Sequence, residues 1–212
     1  MSGEQQLAVV RAGCSAQARE WVDRTFARLG PPLDRATFQA AFAGATRRVG
    51  AEQVEGEDGA RPLDEVTRTA LLLRALDCLP PAEHAAFVEE VYRRGDSREQ
   101  AAVLRTLALL PEPARFLATA VEACRTNVRV VFEAIACGNP YPAAHFPDLA
   151  FNQMVLKALF VELPLASVVG LRARLTPELR RMADDYARER RAAGRSVPDD
   201  IAILTEARGS AA

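Results

Sequence analysis

"LDEVTRTALLLRALDCLPPAEHAAFVEEVYRRG", residues 63–95, decides the fold. Its first half is a long apolar run with helical spacing. Pro80 and Pro81 then lack the N–H that would continue a helix, and their fixed φ suits the start of another. The second run ends at Gly95, so the stretch reads as a helical hairpin. Residues 63–79 are apolar on two sides, as is "DSREQAAVLRTLALL", residues 96–110. There Ser97 stands three residues before Gln100 as a helix-starting pair, and Val103, Leu104, Leu107, Leu109 and Leu110 cover more than one face. Helices apolar on two sides belong in the middle of a packed stack.

Working outward, the remaining prolines fall almost wholly between apolar-periodic segments and act as boundaries. Toward the N-terminus, residues 10–29 read as one amphipathic helix with Cys14, Ala18, Trp21, Val22, Thr25 and Leu29 on its face, ending at Gly30 as a left-handed stop. Asp34 caps a second helix whose inner face carries Phe38, Ala41, Phe42 and Ala45. "GAEQVEGEDGARP", residues 50–62, has glycines and acids but no periodic apolar face, and reads as a flexible surface loop. Toward the C-terminus the helices continue through "PARFLATAVEACRTN", "VRVVFEAIAC", "LAFNQMVLKALFVEL" and "PELRRMADDYARERRAAGR". No segment has the period-two alternation of a strand.

The expected fold class is therefore all-α: stacked antiparallel helical hairpins forming a HEAT/armadillo-like right-handed superhelix, with an irregular helical bundle as the alternative. Residues 1–212 are expected to form a single all-α domain: N-terminal helices over 1–49, the loop over 50–62 and stacked hairpins over 63–207. With 49% hydrophobic residues the chain has ample mass for a core.

Composition excludes several classes of function. With 27 basic and 28 acidic residues, the chain has no global field to attract nucleic acid or an anionic bilayer. The arginines near the end, Arg188, Arg190, Arg191 and Arg195, lack interleaved aromatic rings, which speaks against a nucleic-acid surface. There is no phosphate-cradling glycine loop, no serine-nucleophile motif and no C-x-x-C pair, so no metal and no cofactor is expected. Cys14, Cys78, Cys124 and Cys137 read as small hydrophobes in a reducing compartment. The N-terminus lacks the features of a secretory signal and no segment suffices for a transmembrane helix, so the expected location is cytoplasmic.

Two places carry residues beyond what connection and packing require. In "CGNPYPAAHFPD", residues 137–148, Gly138 ends the preceding helix in the left-handed region. Asn139, Tyr141 and Phe146 precede prolines and are expected to be extended, and Asp148 caps the next helix. Tyr141 and His145 exceed the needs of a connection and are candidates to hydrogen-bond a ligand or shuttle a proton. In the following helix Lys157, the only lysine of the chain, shares a stripe with Gln153 and Phe160, with Asn152 round the side. Such a lysine can hold an anion or act as a base, or its stem can run along apolar surface to a carboxylate such as Glu133 or Glu162.

The blocks "NPYPAAHFPDLAFNQMVLKALF", "VVGL" and "ELRRMADDYARERRAAGRSVPDDI" together resemble the EboA family, over roughly residues 95 to 202. The resemblance implies a cytoplasmic protein encoded with partner genes, among them a prenyltransferase-like membrane protein and several enzyme-like proteins. It implies a part in moving or processing a secondary-metabolite precursor, and it brings no catalytic residues. The binding candidates on this chain are Asn139, Tyr141, His145, Asn152, Gln153, Lys157, Arg181 and Tyr186. The expected role is a non-catalytic helical scaffold or carrier that holds a partner protein or a small aromatic metabolite in a groove. The alternative is a small enzyme acting on that metabolite through His145 or Lys157.

Overall fold

The structure, a computed structural model, describes residues 3–56 and 59–205. It is built almost wholly of helices, and the chain divides into two compact units, the first ending at Thr119 and the second beginning at Ala120.

The first unit starts with α1 (Gly3–Gly13) and α2 (Ala16–Arg28). These are two helices where one was expected. The Ser15 hydroxyl accepts from the amide of Ala18 at 3.2 Å, which starts a new helix inside the run. α2 ends at Arg28, and Gly30 is not among the glycines with positive φ. In α3 (Arg35–Val49), Asp34 caps as expected, accepting from the amides of Ala36 and Thr37.

Residues 53–62 correct the reading of that stretch as a loop. β1 (Gln53–Gly56) and β2 (Gly59–Pro62) form an antiparallel hairpin with Val54 opposite Arg61, the only sheet among the described residues. Such short, exposed strands carry almost no alternation for a sequence pattern to register. Glu57 and Asp58 of that stretch lie outside the described residues.

α4 (Leu63–Asp77) buries twelve of its fifteen residues and packs against α1, α3 and α6 (Ser97–Thr106). Its apolar members include Leu71 and Leu72, each fully removed from water and each stabilising by about 1.5–3 kcal/mol. The hairpin expected around Pro80–Pro81 is present: α4 ends at Asp77 and α5 (His84–Arg94) follows a 3-10 turn. Buried His84 fixes this bend, its Nε2 lying 3.0 Å from the Leu76 carbonyl and 3.1 Å from that of Leu79. Both partners are acceptors, so Nε2 carries the proton and serves the Leu76 carbonyl in the last turn of α4 and the Leu79 carbonyl just beyond it. α6 begins one residue earlier than its sequence suggests: Asp96, not Ser97, is the cap, in reciprocal pairing with Glu99.

α4 also carries charge into the interior. Asp64 and Arg68 are each 3% exposed and pair at 2.7 Å, one turn apart. Thr46 of α3 donates to the same carboxylate oxygen at 2.6 Å, and Arg68 Nε donates to the Phe42 carbonyl at 3.1 Å. This network joins α3 to α4, and the Thr69–Thr106 hydroxyl pair at 2.9 Å joins α4 to α6.

α7 (Leu117–Ala123) spans the boundary. The second unit then contains α8 (Arg129–Ala136), α9 (Tyr141–His145), α10 (Asp148–Phe160), α11 (Pro177–Ala192) and α12 (Ile201–Thr205). Thr176 caps α11 by accepting from the Leu179 amide, with Pro177 in the first turn where no N–H is needed. α10 packs against α8 and α11, and α11 against α12. Among the described residues no helix is long and apolar enough to cross a membrane.

Candidate functional site

Between α8 and α10 the chain is more tightly built than its prolines suggest. Gly138 takes φ +61, ending α8 as expected, and its amide donates to the Ser167 carbonyl at 2.8 Å. Asn139 then works in both directions. Its Nδ2 donates to the Ala134 carbonyl left open at the end of α8, at 2.8 Å, and its Oδ1 accepts from the Tyr141 amide at 3.0 Å. That second bond opens the short helix α9 where an extended run was expected. Pro142 is tolerated because its missing N–H falls in the first turn, where no intrahelical partner exists.

Tyr141 is wholly buried, its ring 4.7 Å from that of His145 and edge-on to Phe146 at 6.3 Å. Arg174 secures the segment from the other side. It donates to the carbonyls of Pro142 and Ala143 at 2.9 and 3.2 Å and to Asp148 at 2.6 Å, with its guanidinium 4.4 Å from the Phe151 ring centroid. Asp148 is thereby drawn into an ion pair and makes no capping bond to α10, contrary to expectation. Gly170, at φ +71, permits the close approach: a Cβ there would sit 2.8 Å from that of Ala143. Spacing and composition do not reveal what Arg174 or Gly170 does, although Gly170 lies in the quoted block "VVGL", because their partners lie about thirty residues away.

Lys157 meets neither Glu133 nor Glu162. Its ammonium donates to the carbonyls of Cys124 and Thr126, at 2.7 and 2.6 Å, and lies 4.7 Å from the Phe132 ring centroid. These carbonyls follow the end of α7, where a cation is favoured. Replacing Lys157 by alanine is expected to lower stability by about 1.5–3 kcal/mol, the worth of hydrogen bonds made by a charged group. Urea unfolding measures this, and an unchanged midpoint would mean that the ammonium is not held there. Burial pushes the nearby Cys124 thiol up to about 12, only partly offset by the charge of Lys157, and burial likewise pushes the Tyr141 phenol up to about 12. Both therefore remain protonated at neutral pH, which suits packing and not nucleophilic attack.

The other candidates are dispersed. Asn152 is buried with Nδ2 3.5 Å from Thr176 Oγ1, and its Oδ1 has no partner among the described residues. Gln153 is exposed. Arg181 is exposed and paired with Glu178 and Asp185 at 2.7 and 2.9 Å. Tyr186 is half-buried beneath Arg190, with a hydroxyl that finds no partner among the described residues. Asn139, Tyr141 and His145 thus form one internal cluster, Lys157 belongs to a second, and Arg181 and Tyr186 make their own contacts on α11. Among the described residues no three His, Cys, Asp or Glu side chains converge as a metal would require.

What α10 offers outward is apolar. Phe151, Met154, Val155, Ala158 and Leu159 face inward, whereas Leu149 and Phe160 are 65% and 64% exposed. With exposed Gln153 and half-buried Leu156 they trace one stripe, at three- and four-residue steps. Val128 and Val130 are also exposed at the start of α8, and Arg129 between them donates to the Val161 carbonyl at 2.9 Å, bringing that start to the end of α10. The polar interruptions of α10 draw attention first in the sequence. The more telling signal is apolarity all round a helix that has one side uncovered.

Residues 5–206 match the model of a family described as "Metabolite traffic protein EboA", which extends the resemblance read from the C-terminal half over nearly the whole chain. No curated protein and no solved structure matches the chain.

Proposed function

The chain belongs to the EboA family of metabolite traffic proteins, and we propose that it acts there as a non-catalytic scaffold or carrier, docking a partner protein on the exposed stripe of α10. The observation that carries this reading is the exposure of Leu149 and Phe160 at the two ends of one helix face. Large apolar side chains uncovered in a row mark surfaces that another molecule covers. Phe160 is the natural anchor, with exposed Val128 and Val130 at the start of α8, which Arg129 ties to the end of α10, and Gln153 supplying a polar contact within the stripe.

The partner is to be sought among the proteins encoded with it, the prenyltransferase-like membrane protein first. The cargo would be a secondary-metabolite precursor and the compartment the cytoplasm. An enzyme working through His145 or Lys157 is the weaker reading. His145 stacks on buried Tyr141, and the ammonium of Lys157 is committed to two carbonyls and a ring face. The test is the affinity of the detergent-solubilised membrane partner for the wild type and for the Leu149→Ser/Phe160→Ser double variant. A loss of at least about thirtyfold is expected, the effect of removing a central anchor. Equal affinity would remove α10 from the interface.

A further inference from the structure

The first unit contains a cleft between α2 and α3, apart from α10. Its hollow follows from side-chain size. Ala36, Ala40 and Ala41 of α3 present only methyl groups toward Trp21, Arg24 and Arg28 of α2, which recur at three- and four-residue steps along one face. Gly44, one turn beyond Ala40, adds no side chain, and a Cβ there would meet nothing within 4 Å. The resulting cleft measures about 670 Å³, within the range of sites that take small molecules.

Its chemistry has two parts. Trp21 is half-buried and rests against the core cluster that includes Val10, Val22 and Val66, so the indole is a fixed flat wall and not a swinging side chain. The rim is cationic. Arg28 donates to Thr37 Oγ1 at 3.3 Å. Among the described residues Arg24 reaches only Glu20, at 3.7 Å, with both side chains about two-thirds exposed. Arg48 has no ion pair among the described residues. The one acid of the lining, Asp34, is already committed: its carboxylate accepts the Ala36 and Thr37 amides and the Thr37 hydroxyl. The Thr37 hydroxyl bond, more than any other contact, holds Asp34 below the usual carboxylate range, with the charge of Arg28 adding to the effect, so Asp34 stays charged and offsets part of the Arg28 charge. The lining therefore carries three guanidinium groups, one carboxylate and one indole, an excess of positive charge beside a flat ring.

We propose that this cleft binds a small aromatic anion, its ring laid against Trp21 and its carboxylate or phosphate held by Arg24 together with Arg28 or Arg48 of the rim. Guanidinium forks match both oxyanions in geometry, and a flat ring on an indole gains contact without ordering a flexible chain. The site is built from side chains that the α10 stripe does not share, so the two proposals stand or fall separately.

Trp21 is the only tryptophan of the chain, so its fluorescence reports on this cleft alone. The probes are 4-nitrobenzoate and 4-nitrophenyl phosphate, flat anions whose nitro group quenches indole emission, with uncharged 4-nitrobenzamide as the control. At least one anion is expected to quench saturably, and which one does so distinguishes carboxylate from phosphate. The amide is expected to quench only in proportion to its concentration. The Arg24→Gln/Arg48→Gln double variant changes two exposed side chains and should keep the wild-type melting temperature, yet weaken binding by about tenfold, equivalent to about 1.4 kcal/mol. Non-saturating quenching by both anions, or wild-type affinity in that variant, would overturn the proposal.

Discussion

Replacing Arg68 by methionine is expected to lower the stability of the protein by about 3–5 kcal/mol, enough to unfold many domains of this size at ambient temperature. Both members of the Asp64–Arg68 pair are almost wholly withdrawn from water. The guanidinium serves several acceptors at once: the Asp64 carboxylate, the Phe42 carbonyl and the Thr46 hydroxyl, while lying 5.8 Å from the Phe42 ring centroid. Without it, Asp64 keeps only the Thr46 hydroxyl and a distant contact with Arg98 at 4.0 Å, and one of its oxygens already has no partner among the described residues. A buried carboxylate left so poorly matched must either take up a proton or expose itself. The double variant Asp64→Leu/Arg68→Met removes the charge altogether and should recover most of the loss, because an apolar pair of similar volume carries no desolvation penalty. Urea unfolding of the three proteins measures both effects. A single-variant loss below about 1 kcal/mol would mean that the pair is solvated as surface pairs are.

Replacing Tyr141 by alanine is expected to cost about 3–5 kcal/mol, the range for deleting a buried aromatic ring. The ring is fully enclosed, in contact with His145 and Phe146, in a segment fixed by Asn139 on one side and Arg174 on the other. Tyr141→Phe keeps the ring and should lose only about 0.5–1.5 kcal/mol, the net worth of one hydrogen bond. The comparison separates packing from chemistry. If Tyr141 served mainly a ligand, alanine and phenylalanine would weaken binding alike at unchanged stability. If it is a keystone of the α8–α10 connection, only alanine lowers the unfolding midpoint strongly. The second pattern is the one its burial predicts.

The helical architecture was legible because prolines sit at helix boundaries, where their chemistry is permitted, and because residues 63–79 carry apolar side chains on more than one face. That apolarity became the burial of α4 on nearly all sides. What the sequence did not disclose depends on partners distant in the chain. The break at Ser15 turned on a side-chain cap that competes with an unbroken apolar face. The hairpin at 53–62 is too short and too exposed to show alternation. α9 arose in a proline-rich loop because Asn139 supplied a starting bond. Of the candidate site residues, the sequence picked out Tyr141 and Lys157 as unusual, and both are, but as internal fastenings: their contacts are a buried ring stack and two carbonyls. The α2–α3 cleft escaped notice for a related reason. A row of alanines on one helix becomes a hollow only when another helix brings an indole and arginines opposite it.

The uncovered side of α10 is proposed as a docking face, and this is tested by following binding of the proposed membrane partner by titration calorimetry. Three proteins are compared: wild type, Leu149→Ser/Phe160→Ser, and a control altered at exposed Asp184 on α11. All three are expected to unfold at closely similar temperatures, and only the α10 variant to lose affinity, by about thirtyfold or more. An α10 variant that binds as tightly as the wild type would contradict the proposal.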